Sequence, residues 1–197
     1  MITATKPEMT LYASATSNGL TIRPIQHSDA TLLYEMHQRL SPDSIYYRYL
    51  QYRRPTLAEL APICNLAPER GAGFVAITQT EPVTIVGIVY YIREQHALAP
   101  TAEPGILVED RFQAQGLGRH LWQQIQQQAR MDGLRWLRVW SHPGNYRIAQ
   151  LVRGGGFPYR AKAYDGLSEY LIDLGEPLAE QASVWMNTLR HAWLFAQ

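Results

Sequence analysis

Apolar and polar residues alternate along Leu20-Thr21-Ile22-Arg23-Pro24-Ile25, the period of a half-buried strand. The period then lengthens. Leu32, Leu33, Met36 and Leu40 recur at helical spacing behind Ser28 or Asp29 as a cap, and Ser41-Pro42-Asp43 ends that helix. An aromatic loop follows at Ile45-Tyr46-Tyr47-Arg48-Tyr49-Leu50, after which Thr56 caps a short helix through Leu57, Leu60 and Ile63. Two apolar runs, 73–78 and 84–92, flank a turn containing Pro82 and predict a hairpin. A third strand is expected at Gly105-Ile106-Leu107-Val108. Gln115-Gly116-Leu117-Gly118 opens a helix that carries Leu121, Trp122, Ile125 and Ala129 on one face and ends at Gly133. Leu137-Arg138-Val139-Trp140 reads as another strand. Asn145 starts a helix through Ile148, Ala149 and Val152, which Gly154-Gly155-Gly156 stops. Residues 159–163 and 169–174, around Asp165-Gly166, form a closing hairpin.

The order strand, two helices, three strands, helix, strand, helix, two strands predicts a mixed α/β domain over residues 20–175, with no internal repeat. The Thr-, Ser- and Ala-rich residues 1–19 are expected to be a flexible leader. In residues 176–197, Trp185, Leu189, Ala192 and Trp193 share one face of an amphipathic helix, expected to dock on the domain's own core. Oligomerisation through that segment, as a homodimer, stays open.

Composition narrows the functions. Hydrophobic residues at 46% and charged ones at 18% describe a globular chain, and a net charge of +1 gives no reason to expect nucleic-acid binding. Of the 18 basic residues only Lys6 and Lys162 are lysines, so the positive charge is nearly all guanidinium, suited to phosphate and carboxylate. Cys64 is the single cysteine, which excludes an intrachain disulfide and a cysteine zinc site. No apolar run approaches the ~20 residues of a membrane span, and no secretory pattern opens the chain, so the expected compartment is the cytoplasm.

The chemistry concentrates in residues 106–119, where an apolar strand runs into a turn and the turn opens a helix. Gly116 and Gly118 let the backbone approach a ligand closely, and the first helical N–H groups lack internal partners, which makes a diphosphate site. No Gly-Lys-Ser/Thr follows, so this is not a P-loop, and the glycine spacing differs from that of the dinucleotide fingerprint.

Gln113-x-x-Gly116-x-Gly118 after an apolar strand resembles the acetyl-CoA signature of the GNAT acetyltransferases. Asn145, Ala149 and the downstream Gly156-Phe157 resemble that superfamily's second landmark, and the element order from Leu20 to Leu174 matches it as well. Ile22-Arg23-Pro24-Ile25, Leu40-Ser41-Pro42-x-Ser44 and Ala102-Glu103 look like the acetyltransferase module of bacterial protein-lysine acetyltransferases. The resemblance implies a central, mostly antiparallel mixed sheet flanked by helices, with acetyl-CoA as the acetyl donor. It implies that Leu107 and Val108 offer backbone groups to the pantetheine arm. The turn Gln113, Ala114, Gln115, Gly116, Leu117, Gly118, Arg119 would hold the pyrophosphate, and Asn145 the arm near the thioester. The resemblance also implies that Arg119, Arg147 or Arg153 meets the adenosine phosphates.

The expected reaction is direct attack of a primary amine on the thioester through a tetrahedral intermediate, with no metal. A lysine-type amine, pKa ~10.4, is mostly protonated at neutral pH and needs a base. Glu103 matches the glutamate of the Ala-Glu pair in the lysine acetyltransferases and is the candidate catalytic base; His142 is the weaker alternative. Pro104 lacks an N–H, so the strand either starts at Gly105 or bulges at 103–104. Many of these enzymes reprotonate the leaving thiolate with a tyrosine where this chain has Val152, and Tyr146 points elsewhere on the helix. Glu109 and Asp110 are expected to serve the turn and the helix N-terminus. The amine acceptor, a protein lysine or a small molecule, is placed beside Tyr46-Tyr47-Arg48-Tyr49. The alternative is a GNAT-fold module that senses acyl-CoA without transfer.

Overall fold

The computed structural model of the protein describes residues 14–16 and 19–175. The expected helix at 176–197 lies outside the described residues. One eight-stranded sheet organises the chain: β1 (Ser14–Thr16), β2 (Leu20–Pro24), β3 (Gly71–Thr78), β4 (Ile85–Arg93), β5 (Thr101–Val108), β6 (Trp136–Ser141), β7 (Tyr159–Tyr164) and β8 (Leu167–Asp173). They lie in the order β1-β2-β3-β4-β5-β6-β8-β7. Each neighbouring pair is antiparallel except β5 and β6, which are parallel. β1 falls inside the stretch read as a leader and pairs with β2.

Helices cover both faces. On one side α1 (Ala30–Arg39), α2 (Pro42–Tyr49) and α3 (Leu57–Leu60) bury Leu33, Met36, Leu40, Ile45 and Leu60 against Val75, Ile88, Tyr90 and Leu107. On the other, α4 (Leu117–Met131) and α5 (Tyr146–Gly154) press Leu121, Trp122, Ile125 and Val152 onto Phe74, Val89, Tyr91, Ala102 and Val139. These two buried layers, rather than helix propensity, hold the short helices in place.

The aromatic segment expected as a loop is helix α2. Ser41-Pro42, read as the end of the first helix, also starts the next: the Ser41 hydroxyl accepts from the Ser44 N–H and Pro42 occupies the first turn, where its missing N–H costs nothing. Leu50 closes α2 in the left-handed region (φ 55°).

Pro104 also sits otherwise than expected. β5 begins at Thr101 and passes through Pro104 without a register shift, with Pro104 opposite Tyr91. The Glu94 N–H donates to the Thr101 carbonyl (2.9 Å), which makes these a hydrogen-bonded pair. Antiparallel alternation then makes Ile92/Glu103, Tyr90/Gly105 and Ile88/Leu107 hydrogen-bonded pairs as well. Ala102, Pro104, Ile106 and Val108 therefore turn their main-chain groups away from β4. The proline nitrogen faces the β6 side, where no ladder bond is forgone, because β6 pairs with β5 only at Thr101/Trp136 and Ala102/Leu137.

Candidate active site

Beyond those two pairs β5 and β6 part, and the fork between them is the centre of the site. Its β5 lip offers main-chain groups from Ile106 and Val108; the Val108 carbonyl accepts from Gln113 Nε2 (2.8 Å). Leu107, grouped with Val108 in the sequence reading, turns its main-chain groups to Ile88. Ile106 takes its place, and only the parity of the ladder reveals it.

At the top of β5 the chain turns into α4. Ala114 (φ 59°) and Gly116 (φ 88°) both take left-handed φ just before the first helical residue, Leu117, and such turns point neighbouring N–H groups toward a common side. The first helical bond is His120 N–H to the Gly116 carbonyl. Among the described residues, no protein acceptor meets the amide N–H groups of residues 114–119. Six consecutive donors at the positive end of a 15-residue helix fit a diphosphate by their chemistry alone. Gly118 is a helical residue whose added Cβ would meet only Val108 Cγ2 at 3.9 Å. Arg119 is exposed on the first turn.

Gln113 ties three elements together. Its amide donates to Ser44 Oγ (3.1 Å) and Val108 O, and its carbonyl accepts from Arg147 on α5. Asp110 accepts from the Ser41 N–H (2.9 Å), Ser41 Oγ (2.7 Å) and Ser44 Oγ (2.8 Å). Partial burial raises the pKa of Asp110, but these bonds outweigh it and leave the carboxyl below its ordinary value. Buried Glu109 pairs with Arg39 (3.0 Å) and Arg111 (2.6 Å). Both acids thus clamp the turn to α1 and α2 rather than to the N-terminus of α4.

Glu103 lies lower on β5, exposed, opposite Ile92 and on the face that α2 covers. Arg48 reaches from α2 across Gly105 to donate to the Tyr90 hydroxyl, and its guanidinium sits 5.2 Å from the Tyr49 ring centroid and 5.4 Å from that of Tyr90. Only glycine at 105 leaves it room: an added Cβ would collide with Arg48 and come within 2.8 Å of Tyr90 Cζ. Although the residue is exposed, its carboxyl is partly desolvated by the elements around it, which together with repulsion from Glu94 holds it above its ordinary pKa; Arg48 and Arg138 oppose the rise. A carboxylate made more basic, beside a fork in the sheet, has the properties of a general base.

Asn145 caps α5, its Oδ1 accepting from the Ile148 N–H at 3.4 Å. Val152 is buried in the core against α4 and offers no proton. His142 Nδ1 accepts from the Gly144 N–H (3.0 Å). Arg153 is exposed. The sequence reading missed Arg48 as a charge acting on Glu103, because that influence depends on how α2 lies across β5.

The family model of the acetyltransferase (GNAT) family matches residues 32–156, from α1 through α5. This chain is a member of the GNAT family. Acetyl transfer with acetyl-CoA as donor is accordingly its chemistry. The fold is shared with the GNAT domain of S. lividans PAT at 24% identity and a TM-score of 0.69, over 78% of this chain and 90% of that one. It is shared with the ribosomal-protein-S5-alanine acetyltransferase of Vibrio fischeri at 17% and 0.65, over 83% and 96%. The yncA protein of Salmonella typhimurium, solved with its cofactor acetyl-CoA, matches at 17% and 0.64, over 81% and 96%. Among the described residues of this GNAT chain no helix is long and apolar enough to cross a membrane, and no group of three His, Cys, Asp or Glu is placed to hold a metal.

Proposed function

We propose that this GNAT acetyltransferase transfers the acetyl group to a primary amine, with a lysine side chain of a protein as the acceptor. The observation that carries the donor half is the run of unpaired amides at residues 114–119, continuous with the β5 lip. The diphosphate would take those amides, and the extended arm would run down β5 beside Ile106 and Val108 with Asn145 facing it. The transferable group would then lie near the fork, on whose α2 side Glu103 stands. Glu103 takes the proton of the attacking amine.

For the acceptor, an open pocket of about 650 Å³ is lined by Glu94, His96, Leu98, Trp136, Arg138 and Leu171, and its Glu94 and Arg138 act electrostatically on Glu103. Arg138, the guanidinium of that lining, pairs with Glu94 (2.9 Å) and with Glu169 outside the lining (3.2 Å), so its positive charge is offset by two carboxylates. A cationic, chain-borne amine fits a wide, acid-leaning approach better than an anionic or enclosed ligand. One structural neighbour, the Vibrio fischeri enzyme, is itself named for acetylating an alanine of a ribosomal protein.

The test is thiol release from acetyl-CoA with lysine-bearing proteins and peptides, spermidine and an aminoglycoside as acceptors. Turnover with proteins alone supports the reading. Turnover confined to small amines moves the acceptor to that class, and absence of acetyl-CoA binding at millimolar supply overturns the donor site.

A further inference from the structure

Tyr47 projects from α2 toward the opposite lip of the fork. Its hydroxyl oxygen lies 3.6 Å from where a Cβ on Gly144 would stand, and its ring centroid is 6.0 Å from that of His142. Since α2 covers β5 while Gly144 links β6 to α5, this side chain spans the opening. Tyr46 stacks on Tyr52 (4.8 Å) and meets His142 edge-on (5.7 Å), which backs Tyr47 with an aromatic wall. The hydroxyls of two other tyrosines near the fork are engaged: Tyr49 with His37 Nε2 (2.7 Å) and Tyr90 with Arg48. Among the described residues the Tyr47 hydroxyl has no hydrogen-bond partner, so its proton is uncommitted.

We propose that Tyr47 is the general acid of the transfer, a role that the apolar Val152 cannot fill. The inference rests on the reading that the thioester lies in the fork. The amine nitrogen bonds to the acetyl carbon and gives a proton to Glu103; the carbon–sulfur bond then breaks, and the sulfur takes the electron pair and the Tyr47 proton. Glu103 returns its proton to water and the phenolate regains one from it. The net change is one amine proton moved to the CoA sulfur, with no oxidant or metal. The side chains recorded against the Tyr47 ring are Tyr46 from α2 and His142 after β6.

Tyr47→Phe keeps the ring and removes the proton. It is expected to lower kcat by about 100-fold, the lower range for general acids because a thiolate leaves readily. KM for acetyl-CoA and for the amine should stay within about threefold. A fluorinated, more acidic tyrosine at position 47 should move the alkaline limb of kcat to lower pH. Unchanged kcat in Tyr47→Phe, a raised amine KM alone, or an alkaline limb that ignores fluorination each overturns the role. Acetyl-CoA binding to the unmodified chain and to Tyr47→Phe, followed by calorimetry, separates the two failures. If the unmodified chain turns over while Tyr47→Phe is equally active, Tyr47 falls alone. If the unmodified chain does not bind acetyl-CoA, the donor site falls and Tyr47 falls with it.

Discussion

Gly116 and Gly133 bracket α4 and allow the diphosphate turn to be weighed against a matched control. Both hold positive φ, 88° and 75°, and both have space for a methyl group: the nearest atom to an added Cβ at 116 is His120 Cε1 at 4.0 Å, and nothing lies within 4 Å at 133. Alanine in this conformation costs roughly 1–2 kcal/mol, so each variant should lose about that much stability, or roughly 3–6 °C in Tm for a domain of this size. Only Gly116 lies among the unpaired amides. A methyl there that disturbs two charge-assisted hydrogen bonds, at about 1.5 kcal/mol each, removes about 3 kcal/mol of binding, more than 100-fold in Kd. Isothermal calorimetry with CoA, alongside thermal unfolding of the free proteins, reads both quantities. Equal CoA affinity in Gly116→Ala and Gly133→Ala, or native affinity in Gly116→Ala, would refute the assignment.

Further outcomes follow from particular side chains. Glu103→Gln should lower kcat at least tenfold while CoA affinity is kept. In the unmodified enzyme, activity should rise with pH as the Glu103 carboxyl, held high by burial, gives up its proton; Arg48→Met removes an opposing charge and should move that limb to higher pH. Asp110→Ala should destabilise the protein by about 1–2 kcal/mol in urea titration, since three donors from Ser41 and Ser44 lose an acceptor near the surface. His37 donates from Nδ1 to the Leu33 carbonyl, and burial first, with Arg48, lowers its pKa. The unfolded chain thus binds a proton more readily, so this contribution to stability is complete above about pH 6.5 and fades as pH falls through the lower folded value. A urea midpoint equally pH-dependent in His37→Gln would exclude His37 as the source.

The turn from β5 into α4 was legible along the chain. The paired glycines at 116 and 118, an apolar strand before them and Leu121, Trp122 and Ile125 after them are local signals, and they identify the turn without tertiary information. Helix α2 was hidden because Ser41-Pro42 serves one helix end and the next helix start, and the aromatic run after it has no simple period. Pro104 misled for a deeper reason. Whether a strand tolerates proline depends on which way that residue's nitrogen faces, and only the pairing parity of β5 with β4 and its brief pairing with β6 decide it. Arg48 over Gly105 is likewise a contact across 57 positions that no short window contains.

Two rungs alone stitch β6, and through it β8 and β7, to the rest of the sheet. The unstitched stretch of β5 leaves main-chain groups open to an extended guest, and on the proposed donor site loading the donor and completing the fabric would be a single event. On that proposed site, protection of the Ile106 and Val108 amides against exchange should rise when acetyl-CoA is added and fall when it is removed.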